Sequence, residues 1–288
     1  MGAISGGRFT AGWWRDSAQT RGVEITGFFL QQRTSTFAAQ GSDFPTLGLP
    51  FFNVSPPLGE DVFFINGGLG DKGGVKIHNT SRLWGTEVNG LLKWSRNNAW
   101  DVNLLAGFRY VDLDEKFGLF GVAQLSSSSI VVADSFATHN QFYGGQVGVR
   151  ASYRRDRLSA DLTGKVALGA NRQTVDIAGL SLHDKHLHSQ GFYSQSTNIG
   201  CRTETVFSVI PEVQVKVGYD LTHRLRATVG YDFLFWSNVV RPGDQIDRNL
   251  NISQFENNPL TGTAAPLPRH ESSNFFAHGI NFGLEFRY

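Results

Sequence analysis

The last ten residues, GINFGLEFRY at positions 279–288, alternate strictly between apolar side chains and small or polar ones. Ile280, Phe282, Leu284, Phe286 and Tyr288 make up the apolar stripe. Successive side chains of a β-strand point to opposite faces, so this period of two predicts a strand with one apolar face. The chain ends on that strand, with an aromatic residue in the last position.

The composition favours many strands of this kind. Among the 288 residues are 33 glycines, 23 phenylalanines and 6 tryptophans, and only 18% are charged, below the roughly 25% that is usual for soluble domains. No stretch reaches the ~18 consecutive apolar residues of a membrane helix. The net charge of +1 gives no reason to expect nucleic acid, and a single cysteine, Cys201, excludes an intramolecular disulfide framework.

The same alternation recurs along the chain and predicts nine strands. They lie at about 6–15, 21–32, 81–96, 98–111, 141–154, 157–171, 204–220, 224–239 and 274–288. A soluble β-sandwich also has strands with one polar and one apolar face, so alternation alone leaves both folds open.

Strand length favours a membrane barrel over a sandwich. Ten residue steps separate Trp84 from Trp94, which corresponds to roughly 33 Å. Tilted by about 40°, such a strand covers the ~25 Å apolar band of an outer-membrane barrel, whereas sandwich strands usually have five or six residues.

The positions of the aromatic residues point the same way, since they fall at both ends of the predicted strands. Beside the short turns lie Trp13, Trp94, Trp100, Tyr153, Tyr219 and Tyr288, and at the opposite ends lie Trp84, Tyr110, Phe207, Phe235 and Phe276. Two such levels are typical of the aromatic girdles of a barrel.

Short turns also alternate with long connections near 33–80, 111–141, 172–203 and 239–273. Short periplasmic turns and long outer loops are the barrel pattern. In the second connection, EKFGLFGVAQL at 115–125 is compatible with a hairpin that extends above the membrane. The sequence therefore predicts a single all-β domain over residues 1–288, a transmembrane up-and-down antiparallel β-barrel in the bacterial outer membrane.

Strand parity predicts that the barrel is incomplete. Single-chain bacterial barrels have an even number of strands, whereas nine are found here. The segments 6–15 and 274–288 both run toward the short-turn side, so they cannot pair with each other in antiparallel fashion. We expect about 10 strands in the full protein, a first strand missing from this N-terminally truncated chain, and edges at these two segments. The opening MGAISGGRFTAG also lacks the basic and apolar regions of a signal peptide.

Several stretches resemble the putative beta-barrel porin-7 family of outer-membrane proteins. They include GGRFTAGWWRD (6–16), LLAGFRYVDLDEKF (104–117) and GYDFLFWSNVVRPGDQID (230–247), of which the last is the most specific. The resemblance runs from about residue 6 to the C-terminus and implies an outer-membrane barrel. It supplies no catalytic residues, and the family's early tryptophan-rich strand has no counterpart here.

The strand faces opposite the apolar ones carry balanced charges. The acids are Glu24, Glu87, Asp101, Asp161, Glu212, Asp232 and Glu285, and the bases are Lys93, Arg109, Arg150, Lys165, Lys216, Arg226 and Arg287. Because buried charges need partners, this balance favours a lumen packed with ion pairs. A polar conduit lined by the same residues is the alternative, although a basic ring for anion selection would need an excess of one sign.

An outer-loop lock is predicted at NVVRPGDQID, residues 238–247. Arg241, Asp244 and Asp247 are the candidates, with Arg241 folded onto a lumen carboxylate. A calcium site would require more oxygen ligands at closer spacing.

Histidines and aromatic loop residues were the remaining candidates for chemistry. Three histidines lie close together in a long polar loop: His183, His186 and His188. We expect these side chains to be solvated, with a transition-metal site as the alternative. The stretch 44–59 is rich in proline and phenylalanine, and we expect this loop to pack against itself. The alternatives are that it caps the barrel mouth or contacts a partner. No histidine lies at an interpretable spacing from a nucleophilic side chain, so we expect no enzymatic activity. We therefore expect no cofactor and no bound metal.

The leading functional hypothesis is a porin-like barrel that gives narrow, weakly selective passive passage to small solutes. The alternative is a structural or surface-display barrel without an open pore, whose long outer loops bind a partner, a matrix or a neighbouring barrel. Barrels of ~8 strands are filled by side chains, and ~16 strands are needed for a wide channel. The expected partners are membrane lipid and the barrel-assembly machinery, for which Phe286 and Tyr288 resemble the C-terminal signal.

Overall fold

The computed structural model describes residues 4–44, 46–66, 72–97, 99–124 and 128–287. Its strands are β1 Gly6–Trp14, β2 Arg21–Gln40, β3 Leu47–Asn53, β4 Gly59–Asn66, β5 Lys72–Arg96, β6 Trp100–Gln124, β7 Ser129–Arg155, β8 Leu158–His183, β9 His186–His188, β10 Gly200–Asp220, β11 Leu225–Val240, β12 Asn249–Leu250 and β13 Ser272–Phe286. Two short 3-10 turns, Pro242–Gln245 and Ile252–Asn257, flank β12. Among the described residues, the chain forms no helix with the length and apolarity that a membrane crossing requires.

Nine long strands form one antiparallel sheet in the order β1-β2-β5-β6-β7-β8-β10-β11-β13, and β9 pairs with the outer end of β8. These nine correspond one to one with the strands predicted from the alternation. A separate small sheet, in the order β12-β3-β4, comes from the first and last long connections. Within the described ranges, β1 and β13 are the edges and do not pair with each other, so the sheet is not closed.

Three of the predicted outer loops are largely strand. Residues 111–141 were expected as a long connection with a hairpin above the membrane, and the hairpin is present because β6 continues to Gln124 and β7 begins at Ser129. Likewise, β2, β3, β4 and β5 occupy much of 33–80, and the ends of β8 and β10 with β9 occupy much of 172–203. The alternation continues there, since Val111, Leu113 and Leu119 are buried, but the opposite face carries charges such as Asp114 and Lys116. The strands therefore continue past the predicted membrane span.

The sheet has a distinct outer face that is apolar over the predicted span. Val147, Val215 and Val229 are among its exposed side chains. At the outer end of the span Trp84 lies against Tyr110, with ring centroids 5.2 Å apart. At the short-turn end Trp100 lies against Tyr153 at 5.0 Å.

The inner face shows that the sheet curls strongly. Arg8 on β1 donates to Glu212 on β10 at 2.8 Å, although these strands lie near opposite ends of the sheet order. Arg150 on β7 likewise reaches Glu24 on β2. The inner face therefore encloses a common interior, and side chains from distant strands meet within it.

Two apolar clusters occupy this interior toward the outer end. The first, called here the apolar layer, consists of Leu83, Val111, Leu113, Phe142, Ala167, Ile210, Leu234, Trp236 and Val239. The second, called the upper cluster, lies farther out and joins the strand extensions to β3, β4 and the 189–199 loop through residues such as Phe51, Ile65, Phe136 and Phe192. Residues 44–59, expected to pack on themselves, thus contribute β3 to a cap over the interior.

Candidate functional site

Four buried charged side chains form the centre of the interior: Glu87 on β5, Arg109 on β6, Lys165 on β8 and Glu212 on β10. Glu87 accepts from Lys165 Nζ at 2.6 Å and from Arg109 Nη2 at 2.8 Å. Arg109 Nη2 also bonds to Glu212 Oε2, and Lys165 Nζ lies 3.6 Å from the same oxygen. Each residue is 3% exposed or less, and the two acids balance the two bases. We call this set the central cluster.

Strand register explains how the central cluster assembles. Glu87 lies directly opposite Arg109 on the neighbouring strand, and Lys165 lies directly opposite Glu212. Strand β7 separates these two pairs, and Gly148 faces Lys165 across the β7–β8 register. A Cβ at Gly148 would lie 2.6 Å from the Gly164 carbonyl oxygen and 2.8 Å from Lys165 Cγ, so the glycine leaves room for the neighbouring strand and for the lysine side chain.

Further polar contacts surround the central cluster. Arg150 makes a bidentate pair with Glu24, at 2.7 and 2.8 Å. Gln146 donates to Glu87 at 3.0 Å, and Arg8 Nε lies 3.6 Å from Asp232. Paired bidentate contacts of this type hold side chains in fixed orientations.

The other predicted inner-face residues lie toward the short-turn end and interact mainly with near neighbours. Arg226 Nε donates to Asp220 at 2.6 Å, and Arg287 Nε donates to Glu285 at 2.9 Å. Lys93 Nζ donates to the Ala18 carbonyl at 2.6 Å.

Two acids complete this end of the interior. Asp101 accepts from Asn103 at 2.9 Å and lies 3.7 Å from Arg96. Asp161 is the register neighbour of Lys216. These residues surround the short-turn mouth and do not join the central cluster.

Just outward of the central cluster, the apolar layer fills the same interior. Phe142, Ile210 and Trp236 are fully buried, and the rings of Phe142 and Trp236 meet edge to face with centroids 6.2 Å apart. An apolar constriction excludes ions because no polar group replaces their hydration shell. A solute crossing the interior would have to pass both the central cluster and this layer.

The outer-loop candidates have separate partners. Arg241 Nη2 donates to Glu115 Oε1 at 2.9 Å, and Arg241 Nε bonds to Glu115 Oε2. Glu115 lies on the extension of β6 beyond the predicted span, and burial raises the pKa of its carboxyl group while Arg241 opposes that rise. Asp244 accepts from Ser273 Oγ at 2.8 Å, and Asp247 accepts from the Leu267 amide at 2.8 Å. The arginine thus connects the last long loop to β6, and the two aspartates brace that loop.

The histidines do not converge on a metal site. His183 Nδ1 pairs with Glu256, whereas His186 and His188 lie on β9. In the described ranges, no group of three or more histidine, cysteine, aspartate or glutamate side chains is placed to hold a metal ion.

The 189–199 loop is fixed to β7 by Asp134. Asp134 Oδ1 accepts from the amides of Tyr193 and Ser194 at 3.0 and 2.8 Å and from Ser194 Oγ at 2.5 Å. Burial raises the pKa of this carboxyl group and raises the pKa of Tyr193 to about 12. Tyr193 in turn donates to the Pro50 carbonyl on β3 at 2.9 Å, which connects the loop to the cap.

Four residues with partners in the interior or the cap were not predicted as site residues from the sequence pattern: Arg8, Glu115, Gln146 and Asp134. Arg8 lies on the inner face of the short strand β1. Thr10 is the one other polar residue on that face, so the alternation of polar and apolar residues in β1 is weak. Glu115 and Asp134 lie in the range expected to be a loop. Continued alternation through 111–124 was the signal that could have found Glu115.

A curled antiparallel sheet with an apolar outer face, aromatic residues at both ends of that face and an ion-paired interior has the construction of porin-type β-barrel proteins. The chain belongs to the putative beta barrel porin-7 family, whose model matches residues 2–288. No curated protein and no solved structure matches the chain. Of the two predicted C-terminal signal residues, Phe286 ends β13 with an exposed ring, whereas Tyr288 lies outside the described residues.

Proposed function

We propose that the protein is an outer-membrane β-barrel whose interior is closed to solutes and which acts through its outer cap. The observation that carries this proposal is the double closure of the interior by the central cluster and the apolar layer. The cap formed by β3, β4, β12 and the 189–199 loop is then the part of the molecule that meets other molecules. This role is not enzymatic, in keeping with membership of a porin-type family.

The proposal includes closure of the seam by one further strand. β1 and β13 both run toward the short turns, so one strand running outward would pair with both of them. Unpaired strand edges are not stable in hydrocarbon, which requires such a partner in the membrane. Exposure is consistent with this: Phe9 on β1 and Phe282 on β13 are 70% and 83% exposed, whereas Phe207 on the interior strand β10 is 63% exposed. Lipid around the barrel and insertion by the assembly machinery are part of the same proposal.

A planar-bilayer recording tests the closed interior. The purified, folded protein should give no stable conductance steps, because ions would have to cross the apolar layer. Trp236→Ala, which empties part of that layer, is the matched variant and should increase leak events. Stable steps from the unmodified protein would refute the closed interior. Cell fractionation tests the location, with recovery in the detergent-solubilised outer membrane and heat-modifiable migration on gels as the expected result.

Narrow passage of small solutes is the second candidate function. It is favoured by the charged lower interior and by the porin-type family. If the apolar layer opens, the balanced charges of the central cluster predict small conductance steps with little preference between anions and cations. The same recording distinguishes the two functions.

A further inference from the structure

A small cleft with a cavity volume of about 70 Å³ lies in the outer cap, away from the charged interior. It is bounded by the outer ends of β7 and β8, by β4, by the 189–199 loop and by the Ile252–Asn257 turn. The side chains that give it chemical character are Phe63, Phe192, Phe255, Gln190, Gln195 and Glu256.

Three phenylalanine rings provide the apolar walls. Phe192 is central, with its ring centroid 5.1 Å from that of Phe63 and 5.9 Å from that of Phe255. The faces of aromatic rings carry partial negative charge and attract cations as well as apolar groups. The walls therefore suit an apolar group that carries a positive charge.

Buried acceptor oxygens without partners lie in and beneath the same loop. Gln195 Nε2 donates to the Gly191 and Phe192 carbonyls at 2.6 and 3.0 Å, which fixes the orientation of the amide. Gln195 Oε1, Gln190 Oε1 and Asp134 Oδ2 are all buried and have no hydrogen-bond partner. Buried oxygens in this state are costly, and they give the 189–199 loop an excess of acceptors over donors.

The charges around the cleft favour a cation. Glu256 contributes a carboxylate to the lining of the cleft. Among the described residues that line the cleft, His183 is the one basic side chain, and it pairs with Glu256. The cleft thus offers acceptors and ring faces in excess of donors.

We propose that this cleft binds a primary ammonium group carried on a short apolar stem. The ammonium pairs with the Glu256 carboxylate, and the stem packs against the phenylalanine rings. Such a group occurs on free alkylamines and on lysine side chains of proteins. The inference deepens the proposed function, because it gives the outer cap a ligand class.

Calorimetric titration of the folded protein in a neutral detergent tests the inference. n-Butylammonium should bind at least tenfold more tightly than n-butanol, which has the same stem without the charge. Glu256→Gln keeps an acceptor for His183 and should weaken n-butylammonium binding about fivefold or more. Glu60→Gln, an exposed site on β4 outside the cleft lining, should leave binding unchanged. Equal binding of the amine and the alcohol, or no binding of the amine, would overturn the proposal.

Two further arms separate the source of the ligand and the source of any failure. A blocked Gly-Lys-Gly peptide and its Nε-acetylated counterpart show whether a protein lysine enters the cleft, whereas n-butylammonium reports free amines. If n-butylammonium binds and the lysine peptide does not, the site accepts free amines and excludes protein lysines. If the folded barrel gives no conductance and does not bind the amine, this inference alone is refuted. If the barrel conducts, the closed interior is refuted, whether or not the amine binds.

Discussion

Replacing Glu87 by glutamine tests whether charge balance in the central cluster stabilises the fold. The glutamate accepts from Lys165 at 2.6 Å, from Arg109 at 2.8 Å and from Gln146 at 3.0 Å. Glutamine removes the negative charge, so two buried bases would face the single acid Glu212. Removing one partner of a buried ion pair costs about 3–5 kcal/mol, which shifts the unfolding equilibrium by roughly two to three and a half powers of ten.

The assay is reversible urea unfolding in lipid vesicles, followed by the fluorescence of the six tryptophans. Glu87→Gln combined with Lys165→Met restores neutrality and should recover most of the lost free energy of unfolding. Glu60→Gln breaks only an exposed pair, with Arg248 at 3.2 Å, and should change the free energy by less than ~1 kcal/mol. The reasoning fails if Glu87→Gln stays within about 1 kcal/mol of the unmodified protein, or if the double variant is no more stable than the single one.

Three other perturbations test separate parts of the structure. Gly148→Ala should cost about 1–3 kcal/mol in urea unfolding through overpacking, whereas Gly164→Ala, whose Cβ meets nothing within 4 Å, should be nearly neutral; equal effects would contradict the packing. Arg241→Gln should free the last long loop from Glu115 and speed its cleavage in limited proteolysis, and an unchanged cleavage rate would count against the lock. Burial raises the pKa of Asp134, so the folded cap binds this proton more readily than the unfolded chain, and its stability should fall as pH rises from below the ordinary carboxyl range through the folded pKa. Asp134→Asn should reduce that slope in hydrogen exchange of the cap, and an identical slope would refute the assignment.

Strand positions were predictable because alternation is a local property. GINFGLEFRY predicts an apolar and a polar face without knowledge of any neighbour, and the structure has β13 there with Phe282 and Phe286 exposed. The identity of the edges followed from counting strand directions. Both inferences depend only on the periodicity of side chains and on the direction of the chain.

The pairing of charges was not predictable in the same way. Arg150 and Glu24 are 126 residues apart, as are Arg241 and Glu115, and only the curl of the whole sheet brings them together. The sequence indicated which side chains share a face, but a pair also requires the height of each residue in the barrel and the distance across it. The apolar layer was missed for a related reason. Residues such as Phe142, Ile210 and Trp236 lie within the predicted strands but on the face that was expected to be polar.

The length of β6 and β7 determines where the cap stands. From Tyr143, at the outer aromatic level, β7 extends back 14 residues to Ser129, which is about 46 Å along the strand and roughly 35 Å in height at a tilt near 40°. In the proposed orientation the strand extensions therefore form a rigid pedestal, and the cap lies well beyond the lipid headgroups. A molecule that reaches the cap is held at that distance from the bilayer, so large or rigid assemblies can dock there without touching the membrane.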